Sequence, residues 1–277
     1  MTLLSGKLVA ERILAKTKER INGANIVPGL AVILVGDYIE SEKYVALKEA
    51  RAQEVGVHFE KIPFPKTATN QEICNAIDDV NKREDIHGIL VQLPLPDGLA
   101  TDEIIAHIDP KKDTDGFHEE TLKKFLAGES EACPVFPRAI IELIRETKIV
   151  FHGEKAVAVV NSNIIGRVLT FVLSLEGLQA EYILSGEGKE AIASETKEAR
   201  VVVTACGIPD LMTADMLSSD AIVIDGGNVH VAGKVQGDVK RSEVEECVAF
   251  LSPVPGGVGP VTVATLLARV TDAALKQ

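Results

Sequence analysis

Short apolar runs with no polar alternation recur along the chain, each ending in a polar or glycine-bearing break. They are Leu30–Val35 before Gly36-Asp37, Gly88–Val91 before Gln92, then Ala156–Val160, Tyr182–Leu184, Arg200–Thr204 and Ala221–Asp225. An unbroken run of Val, Ile and Leu suits a strand covered on both faces. Between most of these runs the apolar residues return at three- and four-residue spacing. That pattern predicts helices over 5–22, 41–55, 70–82, 137–147, 166–176 and 262–275. Strands alternating with helices predict an α/β protein with mainly parallel sheets. The strands form two groups, one before about residue 100 and one after about 155, joined by the charged, Pro- and Gly-bearing stretch Asp109–Pro137. The expected architecture is two α/β lobes with a cleft between them: one over 1–136, one over 137–260, and a terminal helix over 261–277 that packs back on the first.

The chain has 277 residues, 46% of them hydrophobic, enough for one large or two modest cores. Its formal net charge is −12 and it carries no basic run, so neither nucleic acid nor an anionic membrane surface is an expected partner. No apolar run approaches the roughly 18 residues of a membrane span, and Met1–Lys7 has no signal-peptide core. Cys74, Cys133, Cys206 and Cys247 are scattered without a paired spacing, which fits neither a disulfide framework nor a zinc site. A soluble cytoplasmic protein without a bound metal is expected.

Candidate chemistry begins in the helix predicted after Val35. Ser41 is placed to cap it and Gly56 to end it. Tyr44 and Lys48 are four apart and share a face. A ring beside an ammonium can hold a flat ligand, and a buried lysine with a lowered pKa can act as a general base; the plainer alternative is a solvated lysine beside a half-buried tyrosine. Gln92 lies at the carboxyl end of a strand, where α/β sheets bind ligands, and either binds one or satisfies its own loop. Asp113 and Asp115 fit either a metal site or a turn in which an Asp side chain caps the backbone before Gly116.

In the second lobe, Val157–Val168 reads as strand, tight turn and helix, the place for a dinucleotide pyrophosphate, although only Gly166 of a glycine fingerprint is present. After the next strand come both Glu187 and Lys189, an acid that favours NAD and a cation that favours NADP. Cys206 reads as a small packed side chain. Near the end of the chain, Ser252–Thr262 holds three prolines and three glycines before a helix, with Pro260 suited to its first turn. Such a loop is either a rigid turn or a path of bare backbone that a ligand can approach.

Four stretches together resemble the bifunctional methylenetetrahydrofolate dehydrogenase/cyclohydrolase family: Tyr44-Val-x-x-Lys48, Gly88–Pro96, Lys112–Phe117 and Pro253–Pro260, in that order and across nearly the full length. Membership implies a folate-binding catalytic lobe and a Rossmann-type dinucleotide lobe. It implies oxidation of methylenetetrahydrofolate to the methenyl form and hydrolysis to formyltetrahydrofolate. NADP is the implied cofactor, with NAD the alternative, and a homodimer the implied assembly. Lys48 would move protons, Gln92 hold Lys48, Tyr44 stack on the aminobenzoate and Asp115 bond the pterin. The loop Pro255, Gly256, Gly257 and Val258 would contact folate. The nucleotide would meet Asn161, Ser162, Asn163, Ile164, Gly166, Arg167, Ser185, Ala205, Cys206, Gly207, Gly226, Gly227 and Thr262. The family's usual Val-Val-Gly-Arg-Ser is one residue shorter here, with Asn161 where Gly-Arg would stand, and Val135-Phe136 replaces a common Cys-Thr. The first departure bears on the choice between NADP and NAD, since that arginine helps bind the extra phosphate. The second implies altered packing. A dehydrogenase acting on a small hydroxy or amino acid, and a non-catalytic binding protein, are the alternatives against which the folate motifs weigh.

Overall fold

The structure, a computed structural model, describes residues 1–129, 132–231 and 233–276. Ser130 and Glu131 of the first predicted lobe, Ala232 of the second and Gln277 of the terminal helix lie outside the described residues. The chain runs β1 (Thr2–Leu3), α1 (Gly6–Ala24), β2 (Gly29–Val35), α2 (Ile39–Val55), β3 (His58–Phe64), α3 (Asn70–Asn81), β4 (Gly88–Val91), α4 (Thr101–Ala106), α5 (Glu119–Leu126) and α6 (Val135–Arg145). It continues β5 (Lys155–Val160), α7 (Asn163–Leu175), β6 (Gln179–Leu184), α8 (Lys189–Thr196), β7 (Val201–Ala205), β8 (Ile222–Asp225), β9 (Val229–Val231), β10 (Lys234–Gln236), α9 (Arg241–Val244), β11 (Phe250–Leu251) and α10 (Val258–Ala274). All six strands and all six helices predicted from periodicity are present, with ends shifted by a few residues.

Two compact units divide the chain: residues 11–135 with 263–277, and residues 1–10 with 136–262. The first ten residues, grouped with the first lobe by sequence, join the other unit because β1 pairs parallel with β11 (Thr2 to Phe250, Leu3 to Leu251). In the first unit a parallel sheet has the order β3-β2-β4. Every residue of central β2 is buried, and Ala31, Ile33 and Val35 pack with Ile73 and Ile77 of α3 and Ile89 of β4. Edge strand β3 alternates between exposed and half-buried and carries Pro63. Its sequence His-Phe-Glu-Lys-Ile-Pro-Phe lacks the apolar run of a central strand, and this is why it was not predicted.

In the second unit a six-stranded sheet has the order β1-β11-β8-β7-β5-β6, all parallel. Its order turns at β5, so β5 and β7 end side by side at the place where open α/β sheets bind ligands. The core joins Val157 and Val159 of β5 to Val202 of β7, Val223 of β8, Ile192 of α8 and Met212.

Candidate active site

In the first unit, β2 hands the chain to α2 through Gly36, whose φ of 82° a β-carbon would strain. The predicted cap is corrected here: α2 begins at Ile39 with Tyr38 as N-cap and no capping side chain, and Ser41 is buried within the helix. The other end agrees with the sequence, because Gly56 at φ 89° donates to the carbonyls of Ala52 and Gln53.

One helical turn separates Tyr44 from Lys48, and the ammonium lies 5.6 Å from the ring centroid. Lys48 is 7% exposed and its Nζ donates to Gln92 Oε1 at 2.7 Å. Gln92 is held in turn: its backbone N–H donates to Ile33 O, and its Nε2 donates to Leu93 O at 2.7 Å. The amide oxygen therefore faces the lysine. Burial lowers the Lys48 pKa to about 8, against the opposing pull of the Asp115 charge. Burial also raises the Tyr44 phenol, which keeps it protonated. The solvated-lysine alternative is excluded by this burial.

The segment after α4 shows why Asp115 stands apart from its neighbours. Lys112 is buried and its Nζ donates to the carbonyls of Val80, Asn81 and Arg83, closing the C-terminus of α3. Asp113 accepts the backbone N–H groups of Gly116 and His118, one on each oxygen, so it caps a turn. Thr114 donates to Ile89 O and fixes the segment to β4. Among the described residues the Asp115 carboxylate accepts no hydrogen bond, although Lys48 and Arg269 act on it electrostatically. Burial pushes its pKa up, the Lys48 charge pulls it down, and Asp113 adds to the rise. Lys112, Asp113 and Thr114 serve the fold and leave one carboxylate for a ligand. Among the described residues no group of three or more His, Cys, Asp or Glu is placed to hold a metal ion.

In the second unit, Ser162 is the N-cap of α7 and its hydroxyl accepts from Ile165 N. Asn161, just after β5, donates from Nδ2 to Cys206 O at 3.2 Å and ties the ends of β5 and β7 together. Asn163, Ile164 and Arg167 are exposed on the first turns of α7. Gly166 has a packing reason: a β-carbon there would stand 2.4 Å from the Tyr182 ring of β6, so glycine lets helix and sheet close. Gly166→Ala is expected to displace that ring and lower the melting temperature by several degrees, read by thermal denaturation. Ser185 is half-buried beyond β6.

Two buried carboxylates organise the remaining loops. Asp238 is fully buried and accepts Cys206 N at 2.7 Å and Ile208 N at 2.8 Å, which shapes the turn through Ala205, Cys206 and Gly207. Asp225 accepts Gly227 N, Asp238 N and Val239 N at 2.9–3.1 Å. The glycines at 226, 227 and 237 exist for this packing. A β-carbon on Gly237 would lie 1.9 Å from Asp225 Oδ2, one on Gly227 2.4 Å from Asp238 N, and one on Gly226 2.8 Å from the Phe136 ring. Phe136 therefore packs on Gly226. The Cys206 thiol donates to Val159 O and is pushed up to about 12, first by burial and then by Asp238. It is a packed side chain, as the sequence indicated.

The C-terminal loop lies in this same unit as far as Thr262. Pro255 is exposed and Gly256 partly so, whereas Gly257 and Val258 are buried. Gly6 donates to Gly256 O, and a β-carbon on Gly6 would stand 1.7 Å from Gly257 O. The Thr262 hydroxyl donates to Val258 O within α10. Tyr44, Lys48, Gln92 and Asp115 are thus gathered in one unit, and the loop and all the predicted nucleotide residues belong to the other.

Residues 4–115 match the tetrahydrofolate dehydrogenase/cyclohydrolase catalytic domain, and residues 134–277 match the NAD(P)-binding domain of the same family. The chain belongs to the tetrahydrofolate dehydrogenase/cyclohydrolase family. The bifunctional protein FolD of Bacillus licheniformis is 39% identical over 280 aligned residues, covering 100% of this chain and 98% of its own. The FolD of Bacillus subtilis is equally similar, at 39% with the same coverage. Among solved structures, the FolD methylenetetrahydrofolate dehydrogenase/cyclohydrolase of Campylobacter jejuni superimposes with a TM-score of 0.93 at 34% identity, covering 100% of this chain and 99% of that one. That of Trypanosoma brucei, complexed with NADP and an inhibitor, gives 0.94 at 27% identity, covering 100% and 98%.

Sequence reasoning missed Asp238, whose role within this tetrahydrofolate dehydrogenase/cyclohydrolase chain is to clamp a loop. Nothing in the local sequence Gly237-Asp238-Val239 says that the carboxylate turns inward to two amides thirty or more residues away.

Proposed function

We propose that this chain oxidises methylenetetrahydrofolate to methenyltetrahydrofolate with a nicotinamide dinucleotide, and then hydrolyses the methenyl bridge to formyltetrahydrofolate. The observation that carries the reading is the nearly buried Lys48 amine held between Tyr44 and Gln92, with Asp115 as the unspent carboxylate of the same unit. The unit 11–135 with 263–277 takes the folate, and the unit 136–262 with 1–10 takes the dinucleotide. Tyr44 offers a face for the aminobenzoate ring, and Asp115 accepts hydrogen bonds from the amino-pyrimidine edge of the pterin. Asn161, Ser162 and the exposed start of α7 present the helix N-terminus to the pyrophosphate.

When bound, the nicotinamide accepts the hydride that leaves the one-carbon bridge. The protein's part is to fix the bridge in place and to exclude alternative geometry. The methenyl bridge is cationic. With a pKa of about 8, Lys48 is partly neutral at physiological pH and takes a proton from water as the water oxygen bonds the bridge carbon. The bond from that carbon to the pterin-ring nitrogen then breaks, the nitrogen gains a proton, and the second water proton leaves as the formyl C=O forms. Gln92 Oε1 holds the amine on its line of approach. A homodimer joined through the nucleotide units, acting in the cytoplasm, is part of the proposal and is supported by the family resemblance.

Initial rates on methylenetetrahydrofolate with NADP and with NAD, followed through methenyl formation and decay, test the reading; no turnover with either nucleotide overturns it. Asp115→Ala is expected to weaken folate binding about tenfold or more, since a charge-assisted contact is lost, with dinucleotide affinity unchanged. Titration of both ligands checks this, and the reverse pattern would mean that the two units are misassigned.

A further inference from the structure

The turn after β5 carries no positive side chain from Asn161 to Gly166, the first being Arg167. Asn161 itself is engaged with Cys206 O. At the end of the neighbouring strand β6 the chain enters a short 3-10 turn, Ser185–Glu187, rather than continuing straight into α8. Glu187 curls back so that its Oε1 accepts the backbone N–H of Leu184, the last residue of β6, at 3.4 Å. The carboxylate is therefore held over the carboxyl end of the strand, and its second oxygen has no partner among the described residues. It stands about twenty residues beyond Gly166, the glycine that seats α7 on the sheet. In dinucleotide folds an acid at this position bonds the ribose hydroxyls and repels a 2′-phosphate.

The nearest cation in sequence is Lys189. Lys189 begins α8, and its charge is felt at Asp215, whose carboxyl is held low first by the Thr213 hydroxyl and then, among smaller causes, by Lys197 and Lys189. Both Gly186 and Gly188 add no donor side chain beside Glu187.

We propose that Glu187 is the residue that sets nucleotide preference in this chain, selecting the free ribose hydroxyls of NAD over the 2′-phosphate of NADP. The inference rests on the dinucleotide reading of this unit and refines it. A phosphate placed against this carboxylate meets like charge, whereas a 2′-hydroxyl meets an acceptor.

Direct binding to the full-length protein tests this without turnover. Calorimetric titrations with NAD and NADP, and with the fragments 5′-AMP and 2′,5′-ADP, are expected to favour the unphosphorylated member of each pair by about tenfold or more. Glu187→Gln, which keeps an acceptor and removes the charge, is expected to shrink that ratio by about tenfold in both pairs. Glu187 is exposed, so the variant folds, and circular dichroism verifies it. NADP binding as tightly as NAD to the unaltered protein, or an unchanged ratio in Glu187→Gln, overturns the inference and leaves the dinucleotide reading standing. Failure of both nucleotides to bind overturns the dinucleotide reading and the inference with it.

Discussion

Replacing Lys48 with methionine is expected to remove most of the methenyl hydrolysis. Methionine keeps the length and apolar body of the side chain, so the space beside Tyr44 stays filled while the amine is lost. Removing a positioned general base lowers a rate by about 10²- to 10⁴-fold. Hydride transfer needs no proton from Lys48, so the dehydrogenase rate falls less than the hydrolysis rate. Stopped mixing of preformed methenyl substrate with the variant measures the loss, and hydrolysis within threefold of the unaltered protein would remove Lys48 from the mechanism. The pH profile gives an independent sign. The lysine pKa is lowered to about 8, so the neutral amine that acts as base gains population as pH rises toward that value and levels off above it. Enzymatic hydrolysis is therefore expected to rise through pH 8 to a plateau, after subtraction of the uncatalysed rate. A fall through the same range would mean that the charged ammonium is the working form.

Asp225→Ala is expected to destabilise the second unit by about 3–6 kcal/mol, because three buried amides lose the carboxylate that accepts them. The melting temperature should fall on the order of 10 °C. A shift under about 3 °C would show that water or a neighbouring carbonyl replaces the carboxylate. The Asp225 carboxyl is pushed up to about 6, by burial first, against the pull of the three amides. A folded-state pKa above the unfolded one means that this group's favourable share of stability is complete below the unfolded value of 3.8 and is lost as pH rises through 6. The gap in melting temperature between the two proteins should accordingly narrow from pH 5 to pH 7.

What the sequence made legible was whatever repeats locally. The buried runs at Leu30–Val35 and Ala156–Val160 announced central strands because both faces are covered. Edge strand β3 and the short pairing of β1 with β11 were silent, since their residues answer to a neighbour far along the chain and not to a period. The grouping of Tyr44, Lys48, Gln92 and Asp115 was legible only through motifs taken together. That Asp115 is the member of Lys112–Asp115 left for a ligand came only from the family resemblance, because the local geometry depends on carbonyls at Val80, Asn81 and Arg83 that take up the lysine. Ser41 misled because a serine before an apolar helix is a good cap only when the chain turns there, and here the helix starts two residues earlier.

Helix α10 starts in one unit and finishes in the other. Its second half carries Arg269, which donates to Cys133 O, Val270, whose methyl fills the space beside Gly88, and Asp272, which pairs with Arg20 at 2.6 Å. The first unit is therefore not a contiguous piece of polypeptide. Residues 11–135 are made before 136–262, yet they lack the side chains that 263–274 bring until that later segment has been made. The first unit is therefore completed only after the whole intervening unit has been synthesised.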